Sequence, residues 1–287
     1  MNKLSFGQVS GEARFPRGAI GKAVPLIVAV HGGSYDSSYF DLPGHSLLDR
    51  AEANGIPIIA IDRPGYGNTP LLARSEMTLE RQGRFLTAAL QELWDSHGHG
   101  RHGIVIIGHS IGAAISAYVA SEPGTLPLLG LAISGVGMRT PAEHRPMWES
   151  LPDIDLVEMP AEVKDAVMFG PQGSFDAAMP AASHIANRTA PKVELVDIVS
   201  TWHDNVAAVL CKIAVPVHYR QGEFDRLWIV DEGEVRDFQQ SLSKSPRVDA
   251  RMLRGTGHCL DHHTIGPALH LQQLGFALQC AAEKTYL

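Results

Sequence analysis

The stretch VIIGHSIGAAIS, residues 105–116, places Ser110 between two glycines where a strand pattern gives way to a helix pattern. The apolar run before the serine is rich in β-branched residues, and small residues follow at helical spacing. A nucleophile raised on a sharp strand-to-helix turn needs glycine two positions away on either side, because larger side chains would clash there. Gly108 and Gly112 occupy those positions. The stretch therefore predicts either a simple tight turn or an exposed nucleophilic serine.

Short apolar runs alternate with longer amphipathic ones along most of the chain. Val and Ile dominate the short runs, which are apolar on both faces, as expected for parallel strands covered by helices on both sides. This alternation predicts an α/β fold with a mostly parallel, doubly wound sheet. Strands are predicted at 26–30, 57–61, 104–107, 128–133, 215–219 and 248–253, and helices at 46–53, 78–96, 111–120 and 268–284.

One long segment, from about residue 138 to 210, interrupts the alternation. It contains seven prolines and shows no strand pattern, only helical pieces at 160–169 and 193–210. Some 70 residues is too long for an ordinary connection between strands. We therefore expect residues 1–138 and 211–287 to form the core and residues 139–210 to form a helical cap inserted between two strands.

Two acidic residues follow the strand predicted at 215–219. Gly222 turns the chain there, so that Asp225 could project over the carboxyl end of the sheet, where catalytic groups of α/β proteins gather. Asp225 is the preferred partner for a catalytic histidine, and Glu223, two residues earlier, is its rival.

A histidine in a glycine-framed loop follows the strand predicted at 248–253. His258 is flanked by Gly255 and Gly257, and it completes the chain order serine, acid, histidine. His262 and His263 are the alternatives for the base. The tripeptide formed by Asp261 and these two histidines lacks a spaced third ligand group, so we expect a solvated start of a helix there rather than a metal site.

An oxyanion hole needs two backbone N–H donors. The amide of Ile111, at the start of the helix after Ser110, is one candidate. The sequence HGGS at 31–34 follows the strand predicted at 26–30 and supplies the other, with Gly33 preferred and Ser34 as the alternative. His31 is expected to be a structural hydrogen-bonding residue under this loop.

Five motifs together resemble those of the α/β-hydrolase superfamily, over nearly the whole chain. They are HGGS at 31–34, DRPGYGNT at 62–69, GHSIG at 108–112, GEFD at 222–225 and GTGH at 255–258. The resemblance implies the α/β-hydrolase fold with a helical lid, a triad of Ser110, Asp225 and His258, and no cofactor. The serine nucleophile departs from haloalkane dehalogenases and epoxide hydrolases, which carry aspartate there.

The reaction implied by this resemblance is cleavage of a carboxylic ester, lactone or thioester through an acyl-serine intermediate. Large apolar residues of segment 139–210 would line the pocket and favour a small-molecule substrate with an apolar part. We expect Ser34, Trp148, Phe169 and Trp202 to contact it. A carbon–carbon bond hydrolase with the same triad is one alternative, and a non-catalytic ligand-binding member of the fold is another.

The composition excludes several other classes of function. A net charge of −7, spread along the chain, argues against nucleic acid as the main partner. The longest apolar stretches are far shorter than the ~20 residues of a membrane span. The N-terminus shows no signal-peptide pattern, and three cysteines without metal-site spacing favour a reduced, cytoplasmic protein with no metal. The oligomeric state is not indicated.

Overall fold

An eight-stranded sheet forms the centre of the structure, a computed structural model that describes residues 3–16 and 24–284. Outside the described residues lie 1–2, 17–23 and 285–287. These positions belong to the N-terminal stretch and to the predicted core discussed above. The described residues form ten strands. They are β1 (Leu4–Phe6), β2 (Val9–Arg14), β3 (Leu26–Val30), β4 (Ile58–Ile61), β5 (Ile104–His109), β6 (Leu128–Ser134), β7 (Leu156–Val157), β8 (Ala190–Pro191), β9 (Val217–Gly222) and β10 (Val248–Leu253). Of these, β7 and β8 lie outside the eight-stranded sheet.

The strand order in the sheet is β1-β2-β4-β3-β5-β6-β9-β10. The six strands from β4 to β10 in this order pair in parallel, whereas β1 and β2 form an antiparallel hairpin whose second strand pairs antiparallel with β4. The sheet is therefore mostly parallel, as predicted, but the hairpin of β1 and β2 was not predicted.

Four predicted strands have different bounds in the structure, and two of them, β5 and β6, end two residues and one residue later than predicted. Strand β4 begins at Ile58 because Pro57 has no N–H to donate to a neighbouring strand. Strand β9 continues to Gly222 through Arg220 and Gln221, which are buried although they are polar. The longer β9 brings its carboxyl end, and the loop after it, closer to the neighbouring strand ends.

Within residues 3–16 and 24–284, ten α-helices accompany the sheet. Their ranges are α1 (Leu47–Ala53), α2 (Leu79–His97), α3 (Ile111–Ser121), α4 (His144–Glu149), α5 (Ala161–Met168), α6 (Met179–Ser183), α7 (Lys192–Val199), α8 (Thr201–Leu210), α9 (Glu232–Ser241) and α10 (Gly266–Glu283).

Helices cover both faces of the sheet. Alternate side chains of a strand point to opposite faces, so Ile27 and Ala29 of β3 pack with residues of α1 and α10. Val28 and Val30 pack on the other face with residues of α2 and α3. The doubly wound arrangement follows from strands that are apolar on both sides.

The segment between β6 and β9 contains α4 to α8. Two details differ from the prediction. Strands β7 and β8 form a short antiparallel ladder, where no strand was expected. The helical piece expected at 193–210 is two helices, α7 and α8, separated by Ser200, whose φ of −120° and ψ of −88° are not helical. Among the described residues, no helix is long and apolar enough to cross a membrane.

Candidate active site

Ser110 lies in a strained turn between β5 and α3. Its φ of 56° and ψ of −125° place it in a region that residues other than glycine rarely adopt. A Cβ on Gly112 would lie 2.3 Å from the carbonyl oxygens of Val30 and His31, and a Cβ on Gly108 would lie 2.8 Å from Ser116 Oγ. Any larger residue would therefore collide with fixed backbone or with the next turn of α3, so the two glycines clear the space around the serine.

The side chains of Ser110, His258 and Asp225 form a continuous hydrogen-bonded chain. His258 Nε2 lies 2.8 Å from Ser110 Oγ, and His258 Nδ1 lies 2.8 Å from Asp225 Oδ2. All three residues are buried. Because a carboxylate only accepts hydrogen bonds, Asp225 selects the tautomer with the proton on Nδ1, which leaves Nε2 free to accept the proton of Ser110.

Asp225 is itself held in place by the loop after β9. Its Oδ1 accepts a hydrogen bond from the amide of Leu227 at 2.9 Å, and its Oδ2 accepts one from Gln221 Nε2 at 2.9 Å. Gly222 is required at the end of β9, since a Cβ there would lie 2.3 Å from the carbonyl oxygen of Gly257. The close approach of these two glycines brings the acid and the base together.

The rival acid and bases have other partners. Glu223 turns outward, where it accepts hydrogen bonds from Arg254 and from the amide of Gly255. His262 donates from Nε2 to the carbonyl oxygen of Tyr39 at 3.1 Å, and His263 accepts at Nε2 from the amide of Gly257. None of the three contacts Ser110.

The expected solvated helix start at 261–263 is wrong, because Asp261, His262 and His263 are all buried. Asp261 accepts hydrogen bonds from His270 Nε2 and from Tyr39 at 2.9 Å each. Burial opposes ionisation of the Asp261 carboxyl, but the hydrogen bond and the charge of His270 hold its pKa well below the usual value. Among the described residues, no group of three or more His, Cys, Asp or Glu is arranged to hold a metal ion.

The loop after β3 passes directly beside Ser110. A Cβ on Gly32 would lie 2.8 Å from Ser110 Cβ, and a Cβ on Gly33 would lie 2.9 Å from the side chain of Ile111. The Ser34 amide donates to the hydroxyl of Tyr66 at 3.3 Å. Within the described chain, the amides of Gly33 and Ile111 have no hydrogen-bond acceptor, which favours Gly33 over Ser34 as the second donor.

A buried ionic network beneath this loop was not predicted from the sequence. The Arg63 side chain donates to the carbonyl oxygens of His31 and Gly32 at 2.9 and 3.0 Å, and it pairs with Glu194 of α7 at 2.7 Å. Glu194 also accepts a hydrogen bond from Tyr66. His31 accepts at Nε2 from the amide of Arg63, and burial lowers the pKa of His31 well below its usual value. The DRPGYGNT motif contains Arg63 and Tyr66, but nothing in the sequence singles out Glu194.

An apolar cavity of about 420 Å³ adjoins Ser110. Its wall is formed largely by the segment between β6 and β9, together with the loops around the serine. Trp148 and Ser34, two of the four residues expected to contact a substrate, belong to this wall. The other lining residues are Gly33, Ile111, Thr140, His144, Met147, Leu151, Met159, Val163, Val167, Met168, Leu195, Ile198, Val199, Arg226, Leu227 and Trp228.

The other two residues expected to contact a substrate, Phe169 and Trp202, are not among the residues that line this cavity. Phe169 packs against Phe175, with ring centroids 4.9 Å apart. Trp202 is fully buried under the segment, where its Nε1 donates to the carbonyl oxygen of Gly137 at 3.1 Å. Both are large apolar residues of the same segment, and the sequence offers no way to separate those that line the cavity from those that seat the segment on the core.

A family model described as "Alpha/beta hydrolase family" matches residues 27–264 of the chain. Among curated proteins, the protein phosphatase methylesterase 1 of Schizosaccharomyces pombe is 30% identical over 134 residues, which are 42% of this chain and 38% of that protein. The chain thus matches well under half the length of this relative.

Solved structures share the fold over nearly the whole chain. An esterase from Thermogutta terrifontis superposes with a TM-score of 0.67 at 16% identity, covering 98% of this chain and 99% of that one. A lipase-esterase related protein from Clostridium acetobutylicum superposes with a TM-score of 0.69 at 16% identity, covering 94% of this chain and 100% of that one. At this level of identity, the likeness concerns the fold.

Proposed function

Because the chain belongs to the alpha/beta hydrolase family, we propose that it is a serine hydrolase that cleaves a carboxylic ester with an apolar part. The observation that carries the proposal is the hydrogen-bonded chain of Ser110, His258 and Asp225. The serine lies in a strained turn beside two backbone amides that find no acceptor among the described residues. The relative in S. pombe is named as a methylesterase, which agrees with an ester as the substrate.

In the acylation step, His258 Nε2 takes the proton of Ser110 as the oxygen attacks the ester carbonyl carbon. Asp225, 2.8 Å from His258 Nδ1, stabilises the imidazolium that forms. The amides of Gly33 and Ile111 donate to the oxyanion of the tetrahedral intermediate. Collapse of the intermediate expels the alcohol, which takes the proton from His258, and leaves an acyl-Ser110 ester.

In the deacylation step, His258 activates a water molecule that attacks the acyl carbon. The same two amides, of Gly33 and Ile111, receive the second oxyanion. Collapse releases the acid and returns the proton to Ser110. These steps need only the residues of this chain and water.

The cavity supports an apolar group on the acyl or the alcohol side. Most of its lining side chains are aliphatic or aromatic, so burial of an apolar substrate group there contributes about 25 cal/mol per Å². Met147 of α4 and Val163 of α5 line the cavity and are 48% and 54% exposed, so we propose that the cavity opens to solvent beside these two residues. A substrate reaches Ser110 through this opening.

Residues 139–210 act in this proposal as a lid over Ser110. Helices α4, α5 and α7 supply much of the cavity wall, while the sheet and its loops supply the reacting groups. In this proposal the core supplies the reacting groups, and the lid selects the substrate.

Hydrolysis of a panel of esters, thioesters, lactones and β-diketones tests this function. We expect turnover of esters with an apolar acyl or alcohol group and loss of nearly all activity in Ser110→Ala. Turnover of only the β-diketone would instead indicate a carbon–carbon bond hydrolase. Tight binding of the compounds with no turnover of any would indicate a non-catalytic binding protein and would contradict the proposal.

A further inference from the structure

One buried cation reaches from the inserted segment to the loop beside Ser110. Lys164 of α5 is 1% exposed. Its Nζ donates to the carbonyl oxygen of Ser34 and to Asn187 Oδ1, at 2.6 Å each, and lies 3.2 Å from the ring centroid of Tyr35. Lysine is rarely buried this completely unless it is paired, so the contacts of Lys164 require an explanation.

The residue that Lys164 holds has an unfavourable backbone conformation. Ser34 has a φ of 60°, in the left-handed region that costs free energy for residues other than glycine. Its amide donates to Tyr66 Oη, and its carbonyl oxygen accepts from the amide of Arg188 at 3.0 Å as well as from Lys164. The hydrogen bonds to its amide and to its carbonyl oxygen therefore hold Ser34 in that conformation.

Anchoring Ser34 constrains the preceding amide, because only the φ and ψ of Gly33 separate the peptide group of Ser34 from that amide. Gly33 carries the proposed oxyanion donor, and glycine has no side chain that would fix its own orientation. A donor must lie within about 3 Å of the position the oxyanion will occupy, and a displacement of about 1 Å in an active site can cost on the order of 100-fold in rate. The loop therefore needs an anchor immediately after Gly33.

We propose that Lys164 is a positioning residue for the reaction: its ammonium holds Ser34 in the left-handed conformation and thereby aims the Gly33 amide at the oxyanion. This inference rests on the proposed function, since it assumes that an oxyanion forms beside Gly33. It assigns to the inserted segment a part in the chemical step as well as in substrate binding.

The carboxylates around Lys164 have other partners. Asp165, next to it on α5, lies 2.9 Å from His184 Nε2. Asp36, on the loop after β3, pairs with Arg188 at 2.6 Å. Among the described residues, no carboxylate forms a salt bridge with Lys164, so its charge is stabilised mainly by the Tyr35 ring and by neutral oxygen acceptors.

This environment makes the charge on Lys164 sensitive to pH near neutrality. Burial lowers the pKa of Lys164 to about 7, although Cys259, Asp165 and Asp36 favour the charged form, and Arg188 opposes it. Loss of the proton removes the cation–π attraction to the tyrosine ring and weakens the hydrogen bond to Ser34, because charge-assisted bonds are about twice as strong as neutral ones. The anchor of the loop therefore loosens as the pH rises.

The first experiment compares Lys164→Met with Lys192→Met in ester hydrolysis. Lys192 is the control, because its Nζ likewise donates to two oxygen acceptors, the carbonyl oxygens of Leu151 and Pro152, but makes no contact with Ser34. We expect Lys164→Met to lower kcat about 10- to 100-fold with KM changed less than about threefold, and Lys192→Met to keep wild-type kcat. Equal kcat in wild type and Lys164→Met would overturn the inference.

The second experiment uses Asn187→Asp, which keeps the shape of the side chain and places a carboxylate against Lys164 Nζ. An opposite charge at this distance raises the pKa of the lysine. We therefore expect the wild-type kcat to fall at alkaline pH, and this fall to move at least about one pH unit higher in Asn187→Asp. A purely structural role would not shift the profile, so coincident profiles would overturn the inference even if Lys164→Met failed to fold.

The outcomes separate this inference from the proposed function. If the wild-type protein neither hydrolyses esters nor forms an acyl-Ser110 adduct, both fail. If the wild type hydrolyses esters through Ser110 while Lys164→Met and Asn187→Asp behave like it at every pH, only the role of Lys164 is refuted.

Discussion

In the proposed mechanism, Asp225 acts through its hydrogen bond with His258. Its contact with His258 Nδ1 selects the tautomer that accepts the Ser110 proton. We expect Asp225→Asn to lower kcat about 10³- to 10⁴-fold, because the amide can donate to Nδ1 and stabilise the wrong tautomer. Steady-state kinetics of ester hydrolysis, with circular dichroism to confirm the fold, provide the measurement.

Glu223→Gln is the matched control for that variant. Glu223 is the other acidic side chain in the same loop, but it contacts Arg254 and the amide of Gly255 instead of the histidine. Its variant should keep kcat within about twofold. A larger loss in Glu223→Gln than in Asp225→Asn would show that the acid is assigned to the wrong residue.

The residues of the proposed triad were within reach of sequence analysis because each one lies shortly after the end of a strand. Parallel strands place their carboxyl ends at one edge, so Ser110, Asp225 and His258 had to lie near one another once the strands were recognised. The choice between Gly33 and Ser34 could not be made from the sequence, since it depends on the hydrogen bond between the Ser34 amide and Tyr66.

At the scale of elements, α7 is tied to the loop after β3 by a buried ion pair. Glu194 and Arg63 are both almost fully buried and lie 2.7 Å apart. Removing the charge of one partner leaves the other uncompensated in the interior, so we expect Glu194→Gln to lower the free energy of unfolding by about 3 kcal/mol. Urea denaturation measures this change.

The pair of Glu80 and Arg84 on α2 is the control for this prediction. Both side chains are about half exposed and lie one helical turn apart. Such pairs contribute about 0.3–0.5 kcal/mol, so Glu80→Gln should unfold almost like the wild type. Equal losses of unfolding free energy in Glu80→Gln and Glu194→Gln would show that the charge of Glu194 does not hold α7 to the loop.

Which side chains of the inserted segment face the cavity could not be predicted from the sequence. The segment's length and prolines indicate an insertion, but its side chains pack on both the cavity and the core, and periodicity does not distinguish the two. Phe169 and Trp202 look like pocket residues for the same reason that Trp148 does. The hairpin of β1 and β2 was missed because VSGEAR is too polar to resemble a buried strand, although its first four residues are buried.

For the whole molecule, buried neutral histidines predict a loss of stability in acid. Burial lowers the pKa of His262 to about 4, against an ordinary value of 6.5. Between these values the unfolded chain binds a proton that the folded chain does not, so the free energy of unfolding falls as the pH drops from about 6.5 to about 4. This one residue contributes on the order of 3 kcal/mol to that fall.

Urea denaturation at pH 7.5, 5.5 and 4.5 measures the effect. His262→Gln, which keeps a donor for the carbonyl oxygen of Tyr39, should show a shallower fall than the wild type, whatever its stability at pH 7.5. Identical pH dependence in the two proteins would contradict the assignment of a buried, neutral His262.

The most direct test of the central claim is mass spectrometry of the protein after reaction with a fluorophosphonate. An activated serine attacks phosphorus and loses fluoride, so the account predicts one stable adduct, on the peptide that contains Ser110, and no adduct in Ser110→Ala. Labelling should also slow strongly in Asp225→Asn. An unlabelled Ser110 in protein that hydrolyses esters, or equal labelling of Ser110→Ala, would contradict the claim that Ser110 is the nucleophile.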